Sequence, residues 1–409
     1  MPTLVSLASC LLPFLLFALE GRSSSFRPAQ SCGNAVGRAI YFLTNDDVNG
    51  VAAIPIGSDG TLSQGTVTET GGAGSVALSA DNQPATPDAL VGPSALAISG
   101  NHIFAVNAGS NTLSMLAIST SDPTQLTVLG NPIEIPGEFP NTVAVSAKNN
   151  LVCVGTTGAL AGISCSCFSD EGLGPMDGLR PFDLRQTTPP VGPTNTVSQS
   201  FFSEDESVLF TTVKGDPPTN KTGFLSAFPV KCALESGGRA SLSQDDVRST
   251  PEGTAVLFGS QVVPGTSNIF ATDAAFGATI LSVDSQTLEA TTLATGEIEN
   301  QAATCWATIS VATGTAFVTD VGVNHVVEMS VEDASIISEL DLSANSDPGL
   351  IDLQASGNFV YALSPGNGTT DAAVTVIDVS GGPGTAKMIQ HFGLDGVAGK
   401  NAMGMVVLE

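Results

Sequence analysis

The chain has 409 residues, of which 13% are charged, and Lys+Arg 13 against Asp+Glu 39 leave a formal net charge of −26. Such a field repels nucleic acid and anionic membrane surfaces at long range, which excludes polyanionic partners in the absence of a local basic patch. A single core stops growing at about 250–300 residues, so this length calls for several domains or for a repeat fold whose units pack only on their neighbours.

At the start of the chain, residues 4–19 (LVSLASCLLPFLLFAL) form an uncharged apolar run followed by Glu20, Gly21, Arg22 and a serine cluster. This reads as a secretory signal peptide over residues 1–21. A membrane anchor is the competing reading, but the run is broken by Pro13 and falls short of the roughly 20 residues that a span needs. Residues 22–409 are then a single mature domain, secreted or held in a cell wall, with no membrane span after signal removal. Cleavage removes Cys10 and leaves Cys32, Cys153, Cys165, Cys167, Cys232 and Cys305, an even set suited to disulfides in an oxidising compartment. Two sequons, at Asn220 and Asn367, fit the same compartment as glycosylation sites.

Along the mature chain one pattern recurs: a β-rich run ending in a polar residue, a Gly/Asn/Asp turn, and a second β-rich run. Its seven copies begin with AIYFLTNDDVNGVAAIPI (39–56), HIFAVNAGSNTLSMLAI (102–118) and LVCVGTTGALAGISCSCF (151–168), and continue at 208–228, 268–283, 315–331 and 359–379. The polar ends fall at Asn45, Asn107, Gly155 (the exception), Lys214, Asp273, Asp320 and Ser364, 44 to 62 residues apart. That spacing suits four strands and their turns, and it predicts an all-β, seven-bladed β-propeller of four-stranded blades. A third short run, such as SALAIS (94–99), NTVAVS (141–146) or ATISVA (307–312), precedes each hairpin except the first and supplies the innermost strand. The piece that the first copy lacks lies at the other end. NAMGMVVLE (401–409) has no hairpin after it and is expected to pair with 39–44, closing the ring and removing an exposed sheet edge.

Two local motifs have plain readings. Gly72-Ala-Gly74-Ser-Val-Ala77 fits a dinucleotide fingerprint, but no helix follows, so it reads as a loop between blades. Cys165 and Cys167 are spaced like metal ligands, yet Cys165 faces Cys153 across a hairpin centred near residue 159, which predicts a Cys153–Cys165 disulfide. No cofactor and no metal site is expected, since no D-x-D-x-D-G loop occurs.

The runs YFLTNDDVNGVAAIPIGSDGTLSQG, FAVNAGSNTLSMLAIS, PGEFPNTVAVSAKN and GPTNTVSQSFFSEDESVLFTTVKGD resemble secreted fungal members of the lactonase and 3-carboxymuconate cyclase propeller family, over about residues 35–409. The resemblance implies the seven-bladed fold and a carboxymuconate cyclase-type isomerase or a lactone hydrolase. It also implies a histidine just after a proline where an inner strand begins. The matching positions here read Pro140-Asn141-Thr142 and Pro193-Thr194-Asn195, and the three histidines of the chain, His102, His325 and His391, lie elsewhere.

First-strand starts and second-strand ends share one face of a propeller, which gathers the remaining candidates around the central channel. His325, Glu138, Lys214 and Asp320 are the candidate acid–base groups, while Asn107, Asn141, Asn195, Asp273 and Trp306 are the candidate ligand-binding groups. The alternative for these polar residues is that they satisfy strand-end backbone groups. Lys214, Arg180 and Arg185 are the cations available to an anionic substrate. Three functions remain open on the sequence: a lactone-forming or lactone-opening enzyme with a rearranged site, a catalytically silent propeller that contacts extracellular or cell-wall surface components, and a carbohydrate or metal binder.

Overall fold

The computed structural model describes residues 36–231 and 238–409; the expected signal peptide, Cys10, Cys32 and Cys232 lie outside the described residues. The described chain is an all-β ring of seven antiparallel sheets, each with a path of four strands. Its only helical turns are the 3₁₀ segments Pro217–Thr219 and Ser343–Asn345.

Six blades follow chain order from the innermost strand outward. Blade 2 runs Leu96–Ser99, His102–Asn107, Thr112–Ile118 and Leu126–Val128; blade 5 runs Leu257–Val262, Asn268–Asp273, Gly277–Val283 and Ala290–Glu297. Blades 3, 4, 6 and 7 start at Pro140, Val197, Thr304 and Ile351 and repeat the meander. Blade 1 is composite. Its outer strands are Ala39–Leu43, Gly50–Pro55 and Thr66–Glu69, and its innermost strand is the C-terminal Met403–Leu408, with Ala39 opposite Leu408 and Tyr41 opposite Val406. The innermost strands of neighbouring blades touch all the way round, so the ring is closed as the repeat pattern predicts.

Burial explains why the middle strands are nearly continuous apolar runs. Each blade packs face to face on its neighbours, so Ala39–Leu43 and His102–Asn107 are covered on both faces, while the outermost strand Ala290–Glu297 alternates between covered and exposed. Some of the polar groups trapped between blades are tied into side-chain networks. Glu328 is buried and accepts hydrogen bonds from Thr315 Oγ1 (2.7 Å), Ser338 Oγ (3.0 Å) and the Gly384 N–H (2.8 Å), tying blade 6 to the turn beside blade 7. Glycine is required where the third strand of blade 5 begins: Gly277 has φ 146°, and a Cβ there would meet the Gly296 carbonyl oxygen at 2.4 Å.

Cys153 and Cys165 are direct cross-strand partners in blade 3 and form the expected disulfide, with Cα atoms 4.0 Å apart. Cys167 and Cys305 carry free thiols, so the pairing suggested by an even cysteine count does not extend to these two. Among the described residues no helix is long and apolar enough to cross a membrane.

Candidate functional site

The link from blade 1 to blade 2, residues 70–95, is longer than the roughly 12–15 residues beyond which a loop without its own structure is uncommon. It contains the glycine-rich motif, and no helix follows it. Instead the link lies across the end of the ring where second strands finish. The Gly74 N–H donates to the Asp46 carbonyl, the Gly109 N–H to Ala73, and the Leu78 N–H to Pro190. Farther along, Asn141 Nδ2 donates to the Leu90 carbonyl at 3.3 Å, Lys214 Nζ donates to the Val91 carbonyl, and Gly92 packs against the Ser198 carbonyl. Val91 and Ser94 adopt φ values of 50° and 62°, an unfavourable conformation for side-chain-bearing residues that these surrounding contacts hold in place.

Beneath this link lies a cavity of about 250 Å³. Its walls include Pro84, Pro87, Pro193, Val256, Phe258 and Val321, and its polar groups include Asp88, Lys214 and Cys305. Lys214 leaves the end of a blade 4 strand, is 2% exposed, and holds its ammonium 4.3 Å from the centre of the Phe258 ring. Burial lowers its pKa to about 8, and the nearby Asp88 charge opposes that shift. Asp88 comes from the overlying link, and its Oδ1 is shielded from solvent with no hydrogen-bond partner. Desolvation raises Asp88 to about 6, while Lys214 and the main-chain N–H groups of Gly92 and Val91 pull the other way. Cys305, on the inner strand of blade 6, is pushed well above an ordinary thiol by burial and then by Asp88, so it is held as the neutral thiol.

A second acid acts on this cluster. Asp352, on the inner strand of blade 7, is buried and raised to about 7, chiefly by desolvation and partly by the Asp88 charge. Its Oδ2 has no partner. An acid ionising near 6 and an ammonium persisting to about 8 can supply a base and a cation together at neutral pH.

Of the candidates drawn from the sequence, only Lys214 lines this cavity. Trp306 backs it, edge-on to Phe258 with ring centres 5.0 Å apart and its Nε1 unpartnered. Asn141 anchors the link through Leu90 and also donates to Val197 O at 2.8 Å. The others are engaged elsewhere, in backbone or side-chain contacts. Asp320 accepts from the N–H groups of Ala302, Ala303, Gly322 and Val323, and Asp273 from those of Ala255, Val256 and Ala275. Asn107 is buried in a network with Asn49, Thr70, Thr112 and Ser114. Asn195 donates to Leu184 O at 2.9 Å. His325 pairs through Nδ1 with Glu339 at 2.6 Å, and Glu138 accepts from the Thr188 hydroxyl. Both arginines are spoken for: Arg180 is buried against Asp177 at 2.7 Å, and Arg185 is exposed beside Asp183 at 3.5 Å. The sequons at Asn220 and Asn367 sit in exposed turns.

Asp88, Cys305 and Asp352 are the residues that sequence reasoning missed. The available signal was the unusual length of the 70–95 link, since long loops without structure of their own are often functional.

No protein-family model and no curated protein matches the chain. Solved structures do. A candidate 6-phosphogluconolactonase from Bacteroides fragilis superposes with a TM-score of 0.60 at 10% identity, covering 94% of this chain and 100% of its own. A protein from Lactobacillus plantarum gives 0.59 at 15% identity, covering 91% and 100%. A candidate 6-phosphogluconolactonase from Bacteroides uniformis gives 0.52 at 15% identity, covering 70% and 80%. At these identities the likeness establishes a shared seven-bladed propeller fold.

Proposed function

We propose that this chain is a lactonase-type propeller that opens a small cyclic ester in the cavity beneath the 70–95 link. The observation that carries the reading is the convergence of the Asp88 carboxylate and the Lys214 ammonium on one largely apolar cavity. In the reaction, the Asp88 carboxylate takes a proton from water as its oxygen attacks the ester carbon, and Lys214 stabilises the oxyanion that forms. The tetrahedral intermediate then collapses, the ring C–O bond breaks, and the leaving oxygen takes the proton from Asp88 to give a hydroxy acid.

Cyclisation of a carboxymuconate is less well supported, because that substrate brings several carboxylates and the cavity offers one cation, Lys214. The names of the Bacteroides neighbours lend support to lactone chemistry. The apolar run at 4–19 and the exposed sequons support a secreted glycoprotein.

The test is turnover of a panel of lactones by the wild type and by Asp88→Asn and Lys214→Met. A general base contributes about 10²–10⁴-fold, so both variants should lose activity by at least about 10²-fold with folding intact. Absence of turnover on every lactone would favour the silent interaction propeller; turnover that survives both substitutions would remove the cavity from the mechanism.

A further inference from the structure

We infer that the lactone bound in this cavity is uncharged, compact and predominantly apolar, and that phosphorylated or carboxylated lactones are turned away. The inference rests on reading the cavity as a lactone site, and it comes from the balance of charge and shape around it.

Lys214 is the one cationic side chain among the described lining residues, and it is already engaged. Its ammonium donates to the Val91 carbonyl and lies over the Phe258 ring, and Asp88 offsets its charge from the same cavity. Asp352 adds a second acid within electrostatic reach of Asp88, so proton uptake by either acid relieves the other. Among the described residues that line the cavity, no positive charge is left to match a phosphate or a second carboxylate, whose transfer from water into an apolar enclosure is costly when unpaired. Arg180 is held by Asp177 and by the carbonyls of Leu242 and Ser243, and neither it nor Arg185 lines the cavity. At longer range the −26 charge of the chain lowers the local concentration of any anion.

Shape points the same way. The cavity of about 250 Å³ is somewhat larger than an apolar cavity of about 150 Å³ that takes up benzene. A five- or six-membered lactone with a short alkyl arm is of that size. Pro84, Pro87, Pro193, Val256 and Val321 present carbon to it, and the Phe258 ring completes the apolar wall. The ring ester would be the polar part of the ligand, facing Asp88 and Lys214.

The experiment measures calorimetric binding of two non-hydrolysable lactams to the full chain at pH 7: one bearing an alkyl arm, the other the same ring bearing a phosphate. The alkyl lactam should bind tighter by on the order of tenfold or more, the scale of one uncompensated charge at short range. Asp88→Asn, which removes the opposing charge, should narrow that gap. Equal or tighter binding of the phosphorylated lactam, no binding of the alkyl lactam, or an unchanged gap in Asp88→Asn would each overturn the inference. Binding is read separately from catalysis. Tight alkyl-lactam binding without turnover of any lactone would sink hydrolysis and leave the ligand class standing, whereas efficient turnover of a phosphorylated lactone would do the reverse.

Discussion

Asp88 and Lys214 show how a few buried charges set the chemistry of an otherwise apolar cavity. The base is active only when ionised, above about 6, and the cation only when protonated, below about 8. Lactone turnover should therefore follow a bell with its plateau between these limits, modulated by Asp352 and with Cys305 remaining a neutral thiol throughout. A profile of kcat/KM against pH checks this, and a rate that climbs steadily past pH 9 would argue against a protonated Lys214. Asp320 illustrates the opposite use of a carboxylate. It accepts four main-chain N–H groups at the top of blade 6, and Asp320→Ala should cost about 1–3 kcal/mol for each donor left without a partner. Denaturant melts of that variant would show the loss, while residual activity per folded molecule should change little.

Among the strands, Met403–Leu408 closes the ring. It pairs with Ala39–Leu43 and buries Met403, Met405 and Leu408, each worth about 1.5–3 kcal/mol if fully covered. Deleting residues 401–409 removes those contacts and opens the edge of Ala39–Leu43 to pairing with other chains. The expected result is a much lower Tm with concentration-dependent aggregation, and a truncated protein that melts as the wild type would show that blade 1 does not need its C-terminal strand. The 70–95 link behaves differently. It spans several blades through its backbone and is fixed by Asn141 and Lys214, so changes at its contacts should alter the cavity before they alter the ring.

On the scale of the whole molecule, two sets of acids oppose each other. Asp352 and Asp88 are raised to about 7 and about 6 in the fold, against about 3.9 for an unfolded Asp, so the native state binds more protons than the unfolded chain between about pH 4 and 7. Stability from these groups is fully present near pH 4 and is lost as the pH rises through their folded values. Self-repulsion in a chain of net charge −26 grows over the same interval. Asp59, Asp122, Asp205, Asp284, Asp333, Asp341 and Asp378 are lowered, mostly by hydroxyl and main-chain donors, and their contribution disappears below their unfolded value. These opposing terms place the highest Tm at mildly acidic pH, about 4–5, with a decline toward 8. In Asp352→Asn that decline should be shallower, and thermal melts across the range would reveal it. A Tm that rises steadily from pH 4 to 8 would contradict the assignment.

The sequence by itself determined the ring. Seven copies of an apolar run, a polar stop and a tight turn specify seven hairpins, and an unpaired first copy with a surplus last strand specifies how the circle closes, because strand periodicity and turn chemistry are local properties. The Cys153–Cys165 disulfide was legible for the same reason, its partners lying across one hairpin. The cavity was not. A polar residue at a strand end looks the same in sequence whether it caps backbone N–H groups, as Asp273 and Asp320 do, or projects into a cavity, as Lys214 does. Asp88 comes from the link after blade 1, Lys214 from blade 4, Cys305 from blade 6 and Asp352 from blade 7, so their meeting depends on ring closure and on the path of residues 70–95. Their charges depend on it too, since desolvation and mutual repulsion exist only once these distant segments are packed together.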